Sequence, residues 1–245
     1  MIPKIIHYCW FGGNMIPEDV INYIETWKKI MPDYEIIKWS EDNFDVMKHH
    51  YTREAYKAKK YAFVSDYCRL FVLREFGGIY LDTDVEILKS LDLFLNHKVF
   101  MGFEGNRLVG TAVIGSCKNA VFINEIIDLY DTIRFKLSDN KYDLTPNVII
   151  ITDYLNSKNI ITKEGINNYD DKLTIYPRDY FSPKHFDTRK MTVTDNTHTI
   201  HHYSQSWTSL SHKIIQKIKF ILIFIMGFKR TRKMIDTINK ITNNE

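Results

Sequence analysis

The stretch from Tyr61 to Leu88 limits what this chain can fold into more than any other. Apolar residues recur at helical spacing from Ala62 to Phe76 (Phe63, Leu70, Phe71, Leu73), with no proline to interrupt them. Gly77-Gly78 then stops the helix, as C-terminal glycines do. Ile79-Tyr80-Leu81 reads as a short buried strand, Asp82-Thr83-Asp84 follows, and Val85-Glu86-Ile87-Leu88 resumes the alternation. Two carboxylates at the end of a buried strand are costly to desolvate unless something cationic meets them. An Asp-X-Asp by itself also suits a solvated turn. The helix in front of it, which carries Asp66 and Arg69 three residues apart, argues for more than a turn.

At 245 residues the chain can form one α/β domain with a full core, with room for a helical appendage. A hydrophobic content of 44% and a charged content of 26% are ordinary for a soluble globular protein. A net charge of +3 is too small to indicate a nucleic-acid partner, and none is expected. Cys9, Cys68 and Cys117 are odd in number, sit in apolar contexts and lack metal-type spacing, so they read as reduced thiols of a cytosolic protein. The N-terminus lacks the apolar region and cleavage site of a signal peptide.

In chain order, Lys4–Phe11 is a strand rich in β-branched and aromatic residues, closed by Gly12-Gly13. Pro17-Glu18-Asp19 opens a helix that runs to Met31, with Val20, Ile24 and Trp27 inward. Tyr34–Trp39 is a second strand, and Tyr51–Lys60 a polar helix. Beyond the acids, Val99–Glu104 and Ala112–Gly115 are strands, and Asn119–Lys136 is an amphipathic helix. Another helix opens at Thr145, its expected cap, and reaches Asn156. Leu173–Pro177 and Thr197–Tyr203 close the series as strands. The order implies a mostly parallel, Rossmann-like sheet flanked by helices.

Four motifs fall in a fixed order: Ile5–Gly13, Ser65–Arg69, Gly77–Asp84 and His201–Trp207. Together they resemble the DXD-containing glycosyltransferases of family 32 type, which include fungal initiating mannosyltransferases and bacterial capsular polysaccharide transferases. Clostridial glucosylating toxins are more distantly similar. The resemblance covers residues 1–207 and implies a GT-A catalytic domain, a UDP- or GDP-sugar donor, a divalent metal (Mn²⁺ or Mg²⁺) and retention at the anomeric carbon. A glycan or lipid-linked acceptor in capsular or surface polysaccharide synthesis, receiving a hexose or N-acetylhexosamine, follows from the same likeness.

Transfer from a nucleoside diphosphate sugar leaves charge on the departing diphosphate, which a hard cation held by carboxylates neutralises. Asp84 is the expected direct ligand. Asp82 is expected to point the other way and to reach ribose, a sugar hydroxyl or metal-bound water. Asp66 is assigned to sugar hydroxyls and Arg69 to the donor sugar or its phosphate; an ordinary helix-surface ion pair is the plain alternative. Trp10 sits at the carboxyl edge of its strand, where α/β sheets place ligands, and by resemblance stacks on the base. Gly12 and Gly13 would let backbone approach the donor. His201 and His202, adjacent on a strand, face opposite sides; one completes the metal shell, and the sequence leaves open which. Ser206 and Trp207 can donate hydrogen bonds to the diphosphate. Glu104, Asn106 and Asn147 could touch the acceptor. Retention without an evident nucleophile points to front-face displacement.

Residues 208–245 form a basic amphipathic helical tail. The apolar run Phe220–Phe228 is shorter than the roughly 20 residues that span a bilayer. Basic residues on both sides suggest that residues 213–233 lie on an anionic membrane surface, which would make the protein cytoplasmic and peripheral at the inner face of the plasma membrane. Packing of this helix on the domain is the alternative. Two other functions compete: a sugar-nucleotide phosphotransferase or nucleotidyltransferase, which would need a glycine-rich phosphate loop, and a non-catalytic carbohydrate-binding or scaffold protein on the same fold.

Overall fold

The computed structural model describes residues 1–105, 108–139, 141–160, 165–186 and 188–204. Residues 1–184 with 191–202 form one compact unit. A second unit takes in residues 185–190 and the chain from Tyr203. Within it, Arg189 donates from Nη1 to the Tyr203 carbonyl at 3.2 Å, and Phe186 meets the Tyr203 ring edge-on. Ser206, Trp207 and the 208–245 tail lie outside the described residues.

The first unit begins with β1 (Ile5–Cys9), α1 (Glu18–Ile30), β2 (Glu35–Trp39), α2 (His50–Lys57), α3 (Tyr61–Phe76), β3 (Gly78–Leu81) and β4 (Val85–Ile87). It continues with β5 (Val99–Glu104), β6 (Leu108–Ser116), α4 (Val121–Thr132), β7 (Lys136–Ser138), β8 (Lys141–Tyr142) and α5 (Asn147–Ser157). The last elements are β9 (Asn167–Tyr169), β10 (Leu173–Tyr176), α6 (Arg178–Phe181) and β11 (Thr199–His201).

Seven strands make the main sheet, in the order β2-β1-β3-β6-β5-β10-β9. β6 and β9 run against the other five, so the sheet is mostly parallel, as the helix–strand order implies. Side chains alternate across it. Ile6, Tyr8, Ile79 and Leu81 join the apolar layer under α1, and Cys9 and Tyr80 join the layer under α2, α3, α4 and α5. All three cysteines are free thiols. Among the described residues, no helix is long and apolar enough to cross a membrane.

Several boundaries differ from expectation: the strand expected over Ala112–Gly115, for one, runs Leu108–Ser116. The helix expected to reach Lys136 stops at Thr132, and Lys136 starts β7 with its N–H donated to Glu54 Oε2 at 2.8 Å. Thr145 is not the cap of α5: Pro146 holds that position with extended backbone, and the Thr145 N–H donates to Asp143 Oδ1. The late strand is only Thr199–His201, and it pairs antiparallel with β4 in a two-stranded sheet of its own.

The turn into β3 needs both glycines. Gly77 and Gly78 have φ of +69° and +102°, and a Cβ at Gly78 would stand 2.7 Å from the Ile5 carbonyl oxygen. Beside them, Trp39 Nε1 donates to His7 Nδ1 at 3.0 Å, so His7 Nε2 carries the ring proton and donates it to the Gly77 carbonyl at 2.8 Å. Burial holds the His7 pKa down at about 4, with the Gly77 hydrogen bond opposing it. The unfolded chain therefore binds a proton that the folded chain refuses between pH 6.5 and about 4. Stability tied to His7 is complete above pH 6.5 and falls as the pH drops through that window, by about 3 kcal/mol. Urea midpoints at pH 7 and pH 4.5 should fall more steeply for the wild type than for His7→Gln; equal slopes would contradict this.

Candidate active site

The acids lie where β3 leaves the sheet. The Asp82 N–H donates to the Ala112 carbonyl at 2.9 Å, which carries β3–β6 pairing one residue past Leu81. Asp82 thus keeps the alternation and falls on the face of Tyr80, toward α3. Tyr80 donates its hydroxyl to Asp82 Oδ1 at 2.9 Å. Arg69 Nη2 reaches the same oxygen at 3.3 Å and Asp66 Oδ1 at 2.9 Å. Its Nη1 donates to the Thr111 carbonyl at 2.8 Å and its Nε to the Ser65 carbonyl at 3.3 Å, while the guanidinium lies 4.6 Å from the Tyr80 ring centroid. Asp66 and Arg69 are buried, so the surface ion pair is excluded. The donors of Arg69 are directed at protein groups, and its visible work is to orient Asp82.

After Asp82 the chain turns, with the Val85 N–H returned to the Asp82 carbonyl at 3.0 Å. The two acids stand two residues apart on either side of Thr83, and both carboxylates reach one site. β4 is held on two sides. Trp27 Nε1 on α1 donates to the Val85 carbonyl at 2.7 Å, and Thr26 Oγ1 accepts from the Ile87 N–H at 3.0 Å. On the other edge β11 pairs His201 with Val85. That pairing brings the His201 ring to Asp84, with Nε2 3.3 Å from Oδ1. One ligand atom each from Asp82, Asp84 and His201 lies within 4.8 Å of the others. His202 turns away: its Nε2 meets Glu86 Oε2 at 2.8 Å and its ring stacks on Tyr23 at 4.6 Å. Of the two imidazoles, His201 is in the cluster and His202 is outside it.

Burial raises the pKa of Asp66 to about 7 although Arg69 pulls it down, and raises that of Asp82 against Arg69 and His201. Burial works to lower the pKa of His201, but Asp84 and Glu104 outweigh it and lift it to about 10. Four carboxylates (Asp66, Asp82, Asp84, Glu104) face two cationic side chains, Arg69 and His201, a negative excess that suits a divalent ion. Two carboxylates and one imidazole, with a ligand atom of each within 4.8 Å of the others, are a donor set that Mn²⁺ accepts.

Trp10 is half-buried at the end of β1 and donates from Nε1 to the Asn14 carbonyl at 2.7 Å. Gly12, at φ +96°, donates its N–H to Glu41 Oε1 at 2.7 Å, and a Cβ there would stand 2.5 Å from the Tyr61 ring. Room for Tyr61 therefore explains this glycine without a donor. Gly13 has open space around its missing side chain. Asn147 is buried and accepts from Thr111 Oγ1 at 3.0 Å, which links it to the Arg69 network. Tyr80 and Thr111 belong to the site and carry no sequence signal beyond the strands that hold them. Asn106 lies outside the described residues.

A family model described as "Glycosyltransferase sugar-binding region containing DXD motif" matches residues 17–101, which include α3, β3 and both acids. In this region the chain is similar to the DXD-containing glycosyltransferases. Inositol phosphoceramide mannosyltransferase 3 of Schizosaccharomyces pombe is 29% identical over 130 residues, which is 51% of this chain and 36% of that protein. Mannosyl phosphorylinositol ceramide synthase CSH1 of Saccharomyces cerevisiae is 29% identical over 131 residues, 52% of this chain and 35% of that protein. The chain thus spans little more than a third of the length of these two relatives. Among solved structures, PaToxG Glycosyltransferase superposes with a TM-score of 0.51 at 23% identity, covering 64% of this chain and 70% of that one. The fold is the expected GT-A fold, and the DXD acids of the matched region are Asp82 and Asp84.

Removing Arg69 from this network leaves a buried and a partly buried carboxylate, Asp66 and Asp82, without their shared cation. Arg69→Gln should lower the unfolding free energy by about 3–5 kcal/mol. Asp66→Asn in that background should restore part of the loss, a coupling readable in a double-mutant cycle. An Arg69→Gln protein as stable as the wild type in urea would refute this arrangement.

Proposed function

We propose that the chain is a metal-dependent, retaining glycosyltransferase that moves a hexose from a nucleoside diphosphate sugar to a glycan or lipid-linked acceptor. The observation that carries the proposal is the convergence of Asp82 and Asp84, from the turn between β3 and β4, with His201, from the distant β11. The DXD match and the mannosyltransferase names of the relatives support it. Those names also make a mannosyl donor and an inositol-phospholipid type of acceptor the first to test. The basic 213–233 stretch, with its charge and apolarity, is proposed to bring the protein to the membrane where such an acceptor resides.

Asp82, Asp84 and His201 would hold the ion, which when bound neutralises charge on the departing diphosphate. Arg69 and Tyr80 keep Asp82 fixed, so the ligand needs no reordering as charge develops. Asp66 and Asp82 are each engaged by Arg69, which leaves neither poised as a nucleophile. The proposed route is therefore front-face displacement. The acceptor oxygen bonds to C1 as the bond from C1 to the diphosphate oxygen breaks, and the acceptor's proton passes to that leaving oxygen.

Release of nucleoside diphosphate from a panel of UDP- and GDP-sugars with Mn²⁺ is the direct assay. Asp84→Asn should lower turnover about a thousandfold, a loss on the scale of the several kcal/mol that metal-ion stabilisation supplies. EDTA should abolish turnover in the wild type. A wild type that binds these donors but turns over none would leave a carbohydrate-binding role instead.

A further inference from the structure

β5 ends at Glu104, and its carboxylate comes to rest beside the ring that β11 delivers. Glu104 Oε2 stands 3.7 Å from His201 Nδ1, on the side of the imidazole away from Asp84, and the Glu104 side chain is 14% exposed. A carboxylate so removed from water is costly unless a donor faces it. Among the described residues, His201 is the one basic side chain within 4.0 Å of it. The seat is shaped for it. Gly110 on β6 pairs with Gly102 and lies diagonally across from Glu104; a Cβ there would come 3.1 Å from Glu104 Oε2, so the bare glycine leaves the carboxylate its place.

The ring chemistry then gives Glu104 a task. Only an unprotonated nitrogen can bind a metal, and a neutral imidazole carries its single proton on the other nitrogen. Nε2 is the nitrogen that faces Asp84, which leaves Nδ1–H facing Glu104. We infer that Glu104 is a positioning residue: it holds His201 in the tautomer and orientation that direct Nε2 at the cation bound by Asp82 and Asp84. This rests on the metal site proposed above. A carboxylate behind a ligating histidine fixes the ring and strengthens it as a donor, and its loss typically costs ten- to a hundredfold in metal affinity.

The test is Mn²⁺ binding to the full chain, read from the electron paramagnetic resonance signal of free Mn²⁺, with no sugar donor present. Glu104→Gln keeps the shape and removes the charge, and should weaken binding by about tenfold or more. Gly110→Ala crowds the carboxylate without touching a ligand, and should weaken binding in the same direction, by about threefold. Asp84→Ala should abolish it. Thermal melts of each variant separate a lost fold from a lost site; if Glu104→Gln does not fold, Gly110→Ala decides. Wild-type affinity in Glu104→Gln and Gly110→Ala, with binding lost in Asp84→Ala, would overturn the role of Glu104 and leave the metal site standing. Wild-type affinity in Asp84→Ala would overturn the site itself.

Discussion

The guanidinium of Arg69 stands between Asp66 and Asp82, 2.9 and 3.3 Å from their oxygens, in a setting largely closed to water. Carboxylates placed there alone would pick up protons or push the structure apart. With Arg69 between them, stacked on Tyr80 and tied to the Thr111 carbonyl, the end of β3 can carry charge inside the fold. Everything that follows in the chain is laid out around that charge. The turn at Asp82–Asp84 redirects the second acid, and Trp27 clamps the strand beyond it.

The second half of the site arrives from a distance. β11 adds antiparallel to β4, so the register of one short pairing decides which histidine faces inward. A shift of one residue would exchange His201 for His202. The existing register is kept by the His202 N–H donated to the Asp84 carbonyl, and by the His202 side chain held between Glu86 and Tyr23. Outside the cluster, His202 thus serves as an anchor for its neighbour.

Much of this was legible in the residues, for physical reasons that can be named. The apolar spacing of α3 and the glycines after it need no tertiary information, and residues 61–81 fold as the pattern says. The mostly parallel sheet follows from the order of elements. The end of α4 was not legible, because a long-range bond from the Lys136 N–H to Glu54 sets the chain after Thr132 on a new course. Nor was the cap at Pro146, because Asp143 takes up the Thr145 N–H. The expected separation of Asp82 from Asp84 does not hold, because residues two apart on a strand share a face and both carboxylates come together beside His201. Gly12, expected to make room for a donor, also has a positive φ and the Tyr61 ring beside it, which require a glycine by themselves. The place of Glu104 depends on two strands in different sheets, which no local pattern encodes.

The central claim is that Asp82, Asp84 and His201 hold one divalent cation. Crystals of the protein grown with Mn²⁺ and a nucleoside diphosphate, measured for anomalous scattering from manganese, test it most directly. The account predicts a single strong peak within bonding distance of both carboxylates and of His201 Nε2. A peak elsewhere, or one that His201 does not touch, would contradict it.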